Sequence, residues 1–231
     1  MSNFQENIEN KIELETKQIY RMIQSEFRQL ESLLNLHSLI KPVHPLPSFR
    51  GWTIRADSAV IIYSLIKERG VKKILELGSG ASSLIMAYAL QDLGQGNIVS
   101  LEHDKKYIQE SRSMIDKHGL DRYCTVHYSP LVETRVEDIV YKFYSTDHQH
   151  LDDLFDMILV DGPPAPTNPM ARFPALPVFY EKLRKGGLVI LDDARRKDEK
   201  MAVKKWLSTY TELKNLSVPE TEKGISVLVK N

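Results

Sequence analysis

The sequence predicts an α/β protein, a mostly parallel sheet with helices on both faces. Three observations predict it. From residue 71 onward, short apolar runs alternate with longer helical stretches. The stretches between runs are long enough for the crossovers that parallel strands need. At the far end, "LKNLSVPETEKGISVLVKN" reads as two short strands joined by a polar turn, so the last strand should run antiparallel.

The elements follow in order. Residues 4–40 place Ile8, Ile12, Ile19, Ile23, Phe27, Leu30 and Leu34 mostly three, four or seven apart, which predicts one long helix or two. Pro42, Pro45 and Pro47 end it. This divides the chain into an N-terminal helical arm and proline linker (1–45) and a main domain (46–231). The arm either packs on its own domain or serves as a docking helix, with a homodimer as the expected assembly. Asp57-Ser58 should cap a helix whose apolar face is Val60, Ile61, Leu65 and Ile66 and which Gly70 ends. Strands are then expected at 71–77, 97–102, 123–128, 154–160 and 187–192. Helices are expected at 82–93, 104–118, 132–145, 174–184 and 196–209. "STDHQHLDD" (145–153) reads as a polar surface insertion. Its His148 and His150 are solvated loop residues or a weak metal cue.

Lys+Arg and Asp+Glu both number 31 in 231 residues, so the formal net charge is zero. A neutral chain has no global attraction to nucleic acid or to an anionic membrane, and neither is expected as a partner. No apolar run reaches the length of a membrane span. The single cysteine, Cys124, permits no disulfide and no thiolate metal cluster, which fits a reducing cytoplasm. "MSNFQENIENKIELE" is polar and acidic, unlike a signal peptide.

The stretch "ILELGSG" (74–80) ends a hydrophobic strand with an acid and two glycines. In an open parallel sheet, ligands bind beyond the carboxyl ends of the strands. Gly78 and Gly80 there permit a tight turn and close approach of a ligand to the backbone. The helix that follows offers free N–H groups. The next strand ends in Glu102, 22 positions after Gly80. An acid at this tip can accept from both ribose hydroxyls, so the pair argues for an adenosine-bearing cofactor. Glu76 narrows the choice. A dinucleotide site needs no acid two residues before its first glycine, whereas a cofactor with an α-amino group does. Ser83 also replaces the third glycine of the dinucleotide fingerprint.

At this point the sequence resembles the class I S-adenosylmethionine-dependent methyltransferases. "ILELGSG" resembles their first motif and "SLEHD" their second. "FDMILVDGPP" resembles the fourth-strand motif, and "LRKGGLVILDD" the turn before strand five. The resemblance covers about residues 50–231, with the motifs in the usual order. It implies a Rossmann-like seven-stranded sheet in order 3-2-1-4-5-7-6 with strand 7 antiparallel. It implies S-adenosylmethionine as cofactor. Glu76, Gly78, Ser79 and Gly80 would line its methionine part, and Glu102 would hold the ribose. His103 and the turn at Ser129 would flank the adenine.

Asp161 ends the fourth strand, and Asp192 and Asp193 end the fifth. Neighbouring strand tips lie about 4.8 Å apart, so the three carboxylates would repel unless protonated, hydrogen-bonded or bound to a cation. The pattern resembles the metal-dependent O-methyltransferases of sugars and catechols. Asp161, Asp192 and Asp193 would then hold Mg²⁺, with Asp161 and Asp193 catalytic. The other reading is that Asp161 alone touches a ligand while Asp192 caps a turn. The segment 161–179 carries Pro163, Pro164, Pro166, Pro169 and Pro174 before its helix and is a candidate acceptor wall. Trp52, Arg55, Arg172 and Arg195 are the candidate acceptor-binding residues. "RFPALP" resembles a version of this fold found beside glycosyltransferase and surface-polysaccharide genes, which favours a sugar or polyol.

The sequence therefore points to methyl transfer onto a hydroxyl of a small molecule. An RNA or nucleotide methyltransferase is the second enzyme reading. The zero charge and the Asp161-Gly-Pro-Pro tetrapeptide, where amine methylation would need Asn-Pro-Pro-aromatic, count against it. An NAD-binding oxidoreductase and a non-catalytic scaffold are the readings from other classes.

Overall fold

The computed structural model describes residues 2–147, 151 and 153–231, with only the backbone for 2–9. His148 and His150 lie outside the described residues. Helix α1 is a single helix, Ser2–Leu39, and α2 spans Ala56–Arg69. The main domain continues with β1 (Lys73–Leu77), α3 (Ala81–Leu93), β2 (Asn97–Glu102), α4 (Lys105–Lys117), β3 (Cys124–Tyr128), β4 (Leu131–Val136) and β5 (Ile139–Tyr144). It closes with β6 (Phe155–Val160), α5 (Ala175–Phe179), β7 (Leu183–Asp192), α6 (Lys197–Thr209), β8 (Leu213–Leu216) and β9 (Ile225–Lys230).

Seven strands form one sheet in the order β3-β2-β1-β6-β7-β9-β8. Numbered without β4 and β5, this is 3-2-1-4-5-7-6, as the resemblance implied. Strand β9 is antiparallel to both its neighbours, and the other sheet pairings are parallel. Alternate residues feed two cores. Ile74, Met157, Leu159, Leu188 and Ile190 pack with α2 and α3 on one face. Leu75, Leu77, Ile158, Val160, Val189 and Leu191 pack on the other, with Phe143, Phe173 and Trp206. Both faces are covered, which is why these strands read as continuous apolar runs.

The expected helix at 132–145 is not there. Residues 131–144 form a separate antiparallel hairpin, β4 with β5. Val136 pairs with Ile139 across a two-residue turn in which Glu137 has φ 53°. Val132, Thr134, Val136, Ile139, Val140, Tyr141, Phe143 and Tyr144 are β-branched or aromatic, the composition of strands. The signal was masked because Glu137-Asp138 lacks the glycine or asparagine that marks such turns. The expected helix at 174–184 is also shorter. Leu183 already joins β7, whose glycine pair lies within a register shift against β6.

The end of α1 belongs to the core, with Leu36 and Ile40 buried beside α2. Further back, Ile12, Ile19, Ile23, Phe27, Leu30 and Leu34 are exposed. Asp57 does not cap α2, whose N-cap is Arg55; its carboxylate instead accepts from the amides of Ser58 and Glu222. Gly70 does end α2, at φ 61°. Among the described residues no helix is long and apolar enough to cross a membrane.

The hairpin register makes a prediction. Phe143 is fully buried and Val140 is 46% exposed. Phe143→Ala should cost about 3–5 kcal/mol in urea unfolding, and Val140→Thr less than about 0.5 kcal/mol. Equal costs would contradict the hairpin's facing.

Candidate active site

A cleft of about 490 Å³ opens at the carboxyl ends of β1, β2 and β6. That lies in the usual range for small-molecule sites, about 300–1,000 Å³. Gly78, Ser79 and Gly80 line it from the β1–α3 turn, and Glu102, His103 and Asp104 from the tip of β2. Asp161, Gly162 and Pro164 follow β6, Tyr144 ends β5, and Trp52, Thr53 and Ile54 approach from before α2. Tyr107, Ser111 and Met114 of α4 close the side.

The glycine turn has two different requirements. Gly78 has φ 94°, and a Cβ there would press on the backbone of Gly162 at 3.2 Å. It is glycine so that β1 and β6 can converge. Around Gly80 nothing stands within 4 Å of where a Cβ would be.

Glu76 departs from expectation. Its side chain has no exposure and does not line the cleft. Its carboxylate accepts from the hydroxyls of Ser82, Ser83 and Ser100. Ser83 Oγ also accepts from Gly80 N at 3.0 Å. Glu76 therefore holds the turn from behind. Burial pushes its pKa up to about 7, against the three serine hydrogen bonds.

Glu102 stands at the tip of β2 on the cleft wall. Its Oε2 accepts from Ser79 N at 3.0 Å, and Oε1 from the amides of His103 at 2.8 Å and Asp104 at 2.9 Å. The His103 ring nitrogen stands 2.9 Å from Oε1 but is too poorly aligned to count as satisfied. Burial alone would raise the pKa of Glu102. The adjacent His103 and the amides of Asp104 and Ser79 outweigh it and hold the group below its ordinary value. It is a charged acceptor at any pH near neutrality. With four lone-pair sites, a carboxylate so held can still accept from a ligand.

Asp161, Asp192 and Asp193 do converge, with one oxygen of each within 4.8 Å of the others. All-carboxylate oxygen donors suit a hard divalent ion. The space between them, however, is taken. The guanidinium of Arg172 reaches Asp161 Oδ1 at 3.2 Å and Asp193 Oδ2 at 3.1 Å, and donates to the Asp192 carbonyl at 2.9 Å. Arg196 adds a contact to Asp193 at 2.8 Å. Only Asp161 of the three lines the cleft. The residues do not fit an open divalent site, because an arginine already bridges two of its three would-be ligands. Asp193, expected to be catalytic, is not in the cleft lining and pairs with Arg172 and Arg196. Burial and the neighbouring Asp192 push Asp161 well above the usual carboxylate range, against Arg172. Burial and Asp193 push Asp192 up to about 6.

Other expected residues are redistributed. Trp52 lines the cleft and is 74% exposed, so it is not core. Arg55 is buried and clamps three segments through Glu26, Glu222 and the Phe49 carbonyl, away from the cleft. Arg172 is buried, pairs with Asp161 and is outside the cleft lining. Arg195 is outside the cleft lining and pairs at 3.4 Å with Glu220. Ser129 is fully buried, and its hydroxyl anchors the Ser145 carbonyl at the hairpin's end. Tyr144, Tyr107 and Ser111 were missed. Tyr144 belongs to the hairpin that the sequence presents as a helix, and the other two sit on an ordinary amphipathic helix with nothing to single them out.

A seven-stranded sheet in this order, with an antiparallel seventh strand and a glycine turn facing an acid across the cleft, defines the class I methyltransferase architecture. The family model described as a methyltransferase domain matches residues 75–194, just over half of the chain, and the protein belongs to that family. No curated protein matches it in sequence. Solved structures show the same fold. The O-methyltransferase TomG of Streptomyces achromogenes, involved in tomaymycin synthesis and solved with SAM, is 18% identical. Its TM-score is 0.57, with 78% of this chain and 82% of that one covered. An SAH-bound methyltransferase of Podospora anserina is 17% identical over 88% of this chain and 87% of its own, with a TM-score of 0.56. An O-methyltransferase of Bacillus cereus in complex with SAH is 16% identical over 87% and 90%, with the same TM-score.

The buried Glu76 makes stability depend on pH. Its folded pKa is raised to about 7, above the ordinary value of about 4.3. Below both values the group is neutral in either state and costs nothing. As pH rises from about 4 to 7 the unfolded chain ionises first, and stability falls. Glu76→Gln should remove this slope. The stability difference between variant and wild type should shift by roughly 3 kcal/mol in the variant's favour from pH 4 to pH 8. Parallel stability curves in denaturant titrations at several pH values would contradict it.

Proposed function

We propose that this protein is an S-adenosylmethionine-dependent O-methyltransferase acting on a hydroxyl of a small molecule, with a sugar or polyol as the favoured acceptor. The observation that carries the reading is one cleft lined at once by the Gly78–Gly80 turn, by Glu102 and by Asp161. The solved relatives named above, two of them O-methyltransferases holding SAM or SAH, support it. When bound, S-adenosylmethionine would supply a sulfonium methyl group that passes to the acceptor oxygen as its C–S bond breaks, with S-adenosylhomocysteine as the leaving group.

The chain's own residues then have separate tasks. Glu102 accepts from the ribose hydroxyls. The Gly78–Gly80 turn lets the amino-acid end lie against backbone. Asp161, the one of the three aspartates on the cleft wall, takes the proton of the acceptor hydroxyl in its ionised form. Arg172 keeps Asp161 in place from beneath. Trp52 covers the cleft from the side of the α2 approach. No step requires Mg²⁺, since Arg172 supplies the positive charge between Asp161 and Asp193. We further propose that the exposed apolar stripe of α1 pairs with a second copy. A monomeric mass by light scattering would overturn that pairing.

Calorimetric titration with S-adenosylhomocysteine, with NAD⁺ as control, tests the central reading. Micromolar binding of the first alone is expected. Glu102→Ala should weaken it on the order of a hundredfold, through loss of charged hydrogen bonds. Asp161→Asn should leave that affinity nearly unchanged and lower turnover by about 10²–10⁴. Turnover should survive thorough chelation, and a loss restored by Mg²⁺ would return the three aspartates to a metal.

A further inference from the structure

The deepest polar group on the cleft wall has no partner. Tyr144 is 1% exposed, yet it lines the cleft, and its hydroxyl makes no hydrogen bond. A buried hydroxyl left unsatisfied is destabilising. Several features hold it there nonetheless. Ser129 Oγ donates to the Ser145 carbonyl at 2.8 Å, and Ser145 N donates to the Pro130 carbonyl at 3.0 Å. These bonds pin the end of β5 beside the tip of β3. The Tyr144 ring stands edge-on to His103, with centroids 6.0 Å apart. Its hydroxyl reaches Gly162, where any Cβ would collide with it. The phenol is thus threaded between the tips of β2 and β6, into space that only a glycine at 162 leaves free.

The chemistry of the surroundings decides what it meets. Glu102, beside His103, is an acceptor only. A ribose hydroxyl that donates to Glu102 keeps its own lone pairs unfilled. A hydroxyl donor on the same wall completes the pairing. Burial, and then the charge of Glu102, keep the Tyr144 phenol protonated well above its ordinary value, so it has a proton to donate.

We infer that Tyr144 Oη donates a hydrogen bond to a ribose oxygen of the bound nucleoside, and that Gly162 is glycine to admit it. Tyr144 and Glu102 then read the ribose as a donor and acceptor pair. The inference rests on the nucleoside-cofactor reading of this cleft and adds a recognition residue to it.

The test is calorimetry with S-adenosylhomocysteine and its 2′-deoxy and 3′-deoxy analogues, on wild type and Tyr144→Phe. Wild type must bind S-adenosylhomocysteine; if it does not, the cofactor reading itself fails. Given binding, Tyr144→Phe should weaken S-adenosylhomocysteine about tenfold, the value of one neutral hydrogen bond with a buried partner. It should weaken one of the two deoxy analogues by less than about twofold, because that ligand already lacks the partner oxygen. Gly162→Ala, which displaces the phenol without removing it, should reproduce the ligand pattern. Unchanged affinity in Tyr144→Phe would overturn the inference. So would an equal loss for all three ligands, or a loss confined to the acceptor's KM. Thermal unfolding of each variant separates these results from misfolding.

Discussion

One buried carboxylate organises this site. Glu76 sits at the end of the central strand with no exposure, and an ion there would cost several kcal/mol if left unpaired. Ser82 and Ser83 come to it from the first turn of α3, and Ser100 from β2. The carboxylate therefore ties β1, β2 and α3 together at one point. Ser83 passes the restraint on by accepting from Gly80 N. The loop between strand and helix has little freedom left. Ser79 N is thereby presented to Glu102 across the cleft. An acid expected to meet a ligand instead fixes the loop that does.

The second wall depends on the hairpin. Where a crossover helix was expected between β3 and β6, β4 and β5 lay Tyr141, Phe143 and Tyr144 on the sheet's second core. The hairpin buries Phe143 in that core and sets Tyr144, also buried, against the cleft wall. Ser129 holds the hairpin's end at the tip of β3. The same residue that was expected to flank a base is thus part of the scaffold that delivers an aromatic one.

Most of the fold was legible in the sequence, because parallel strands covered on both faces show as plain apolar runs. Gly78, Gly80 and Glu102 were legible for the same reason, since they lie in register at strand tips. What failed was of two kinds. The hairpin failed because its turn, Glu137-Asp138, lacks the usual residues, although its strands carry the usual ones. The charged residues failed because a sequence gives no direction to a side chain. Arg55 and Arg172 were expected to face an acceptor, and both are buried in ion pairs. An arginine near acids has two fates, ligand or counter-ion, and only packing distinguishes them.

The acid cluster shows how that distinction bears on chemistry. Asp161, Asp192, Asp193 and Glu199 face Arg172 and Arg196. Four acids face two cations, and of the two only Arg172 is buried, so full ionisation would leave acids short of buried counter-charge. Burial and mutual repulsion therefore raise the proton affinity of Asp161, Asp192 and Glu199 against the pull of Arg172. Burial is unequal, however, and only Asp161 borders the cleft. In the proposed reaction the proton of the acceptor hydroxyl would meet the cluster at Asp161, the one of these four acids on the cleft wall. Asp192 and Asp193 raise the affinity with which it is kept, and Arg172 prevents the carboxylates from moving apart. The arginine thus does for the aspartates what a divalent ion would do, at a fixed position and without an open coordination site.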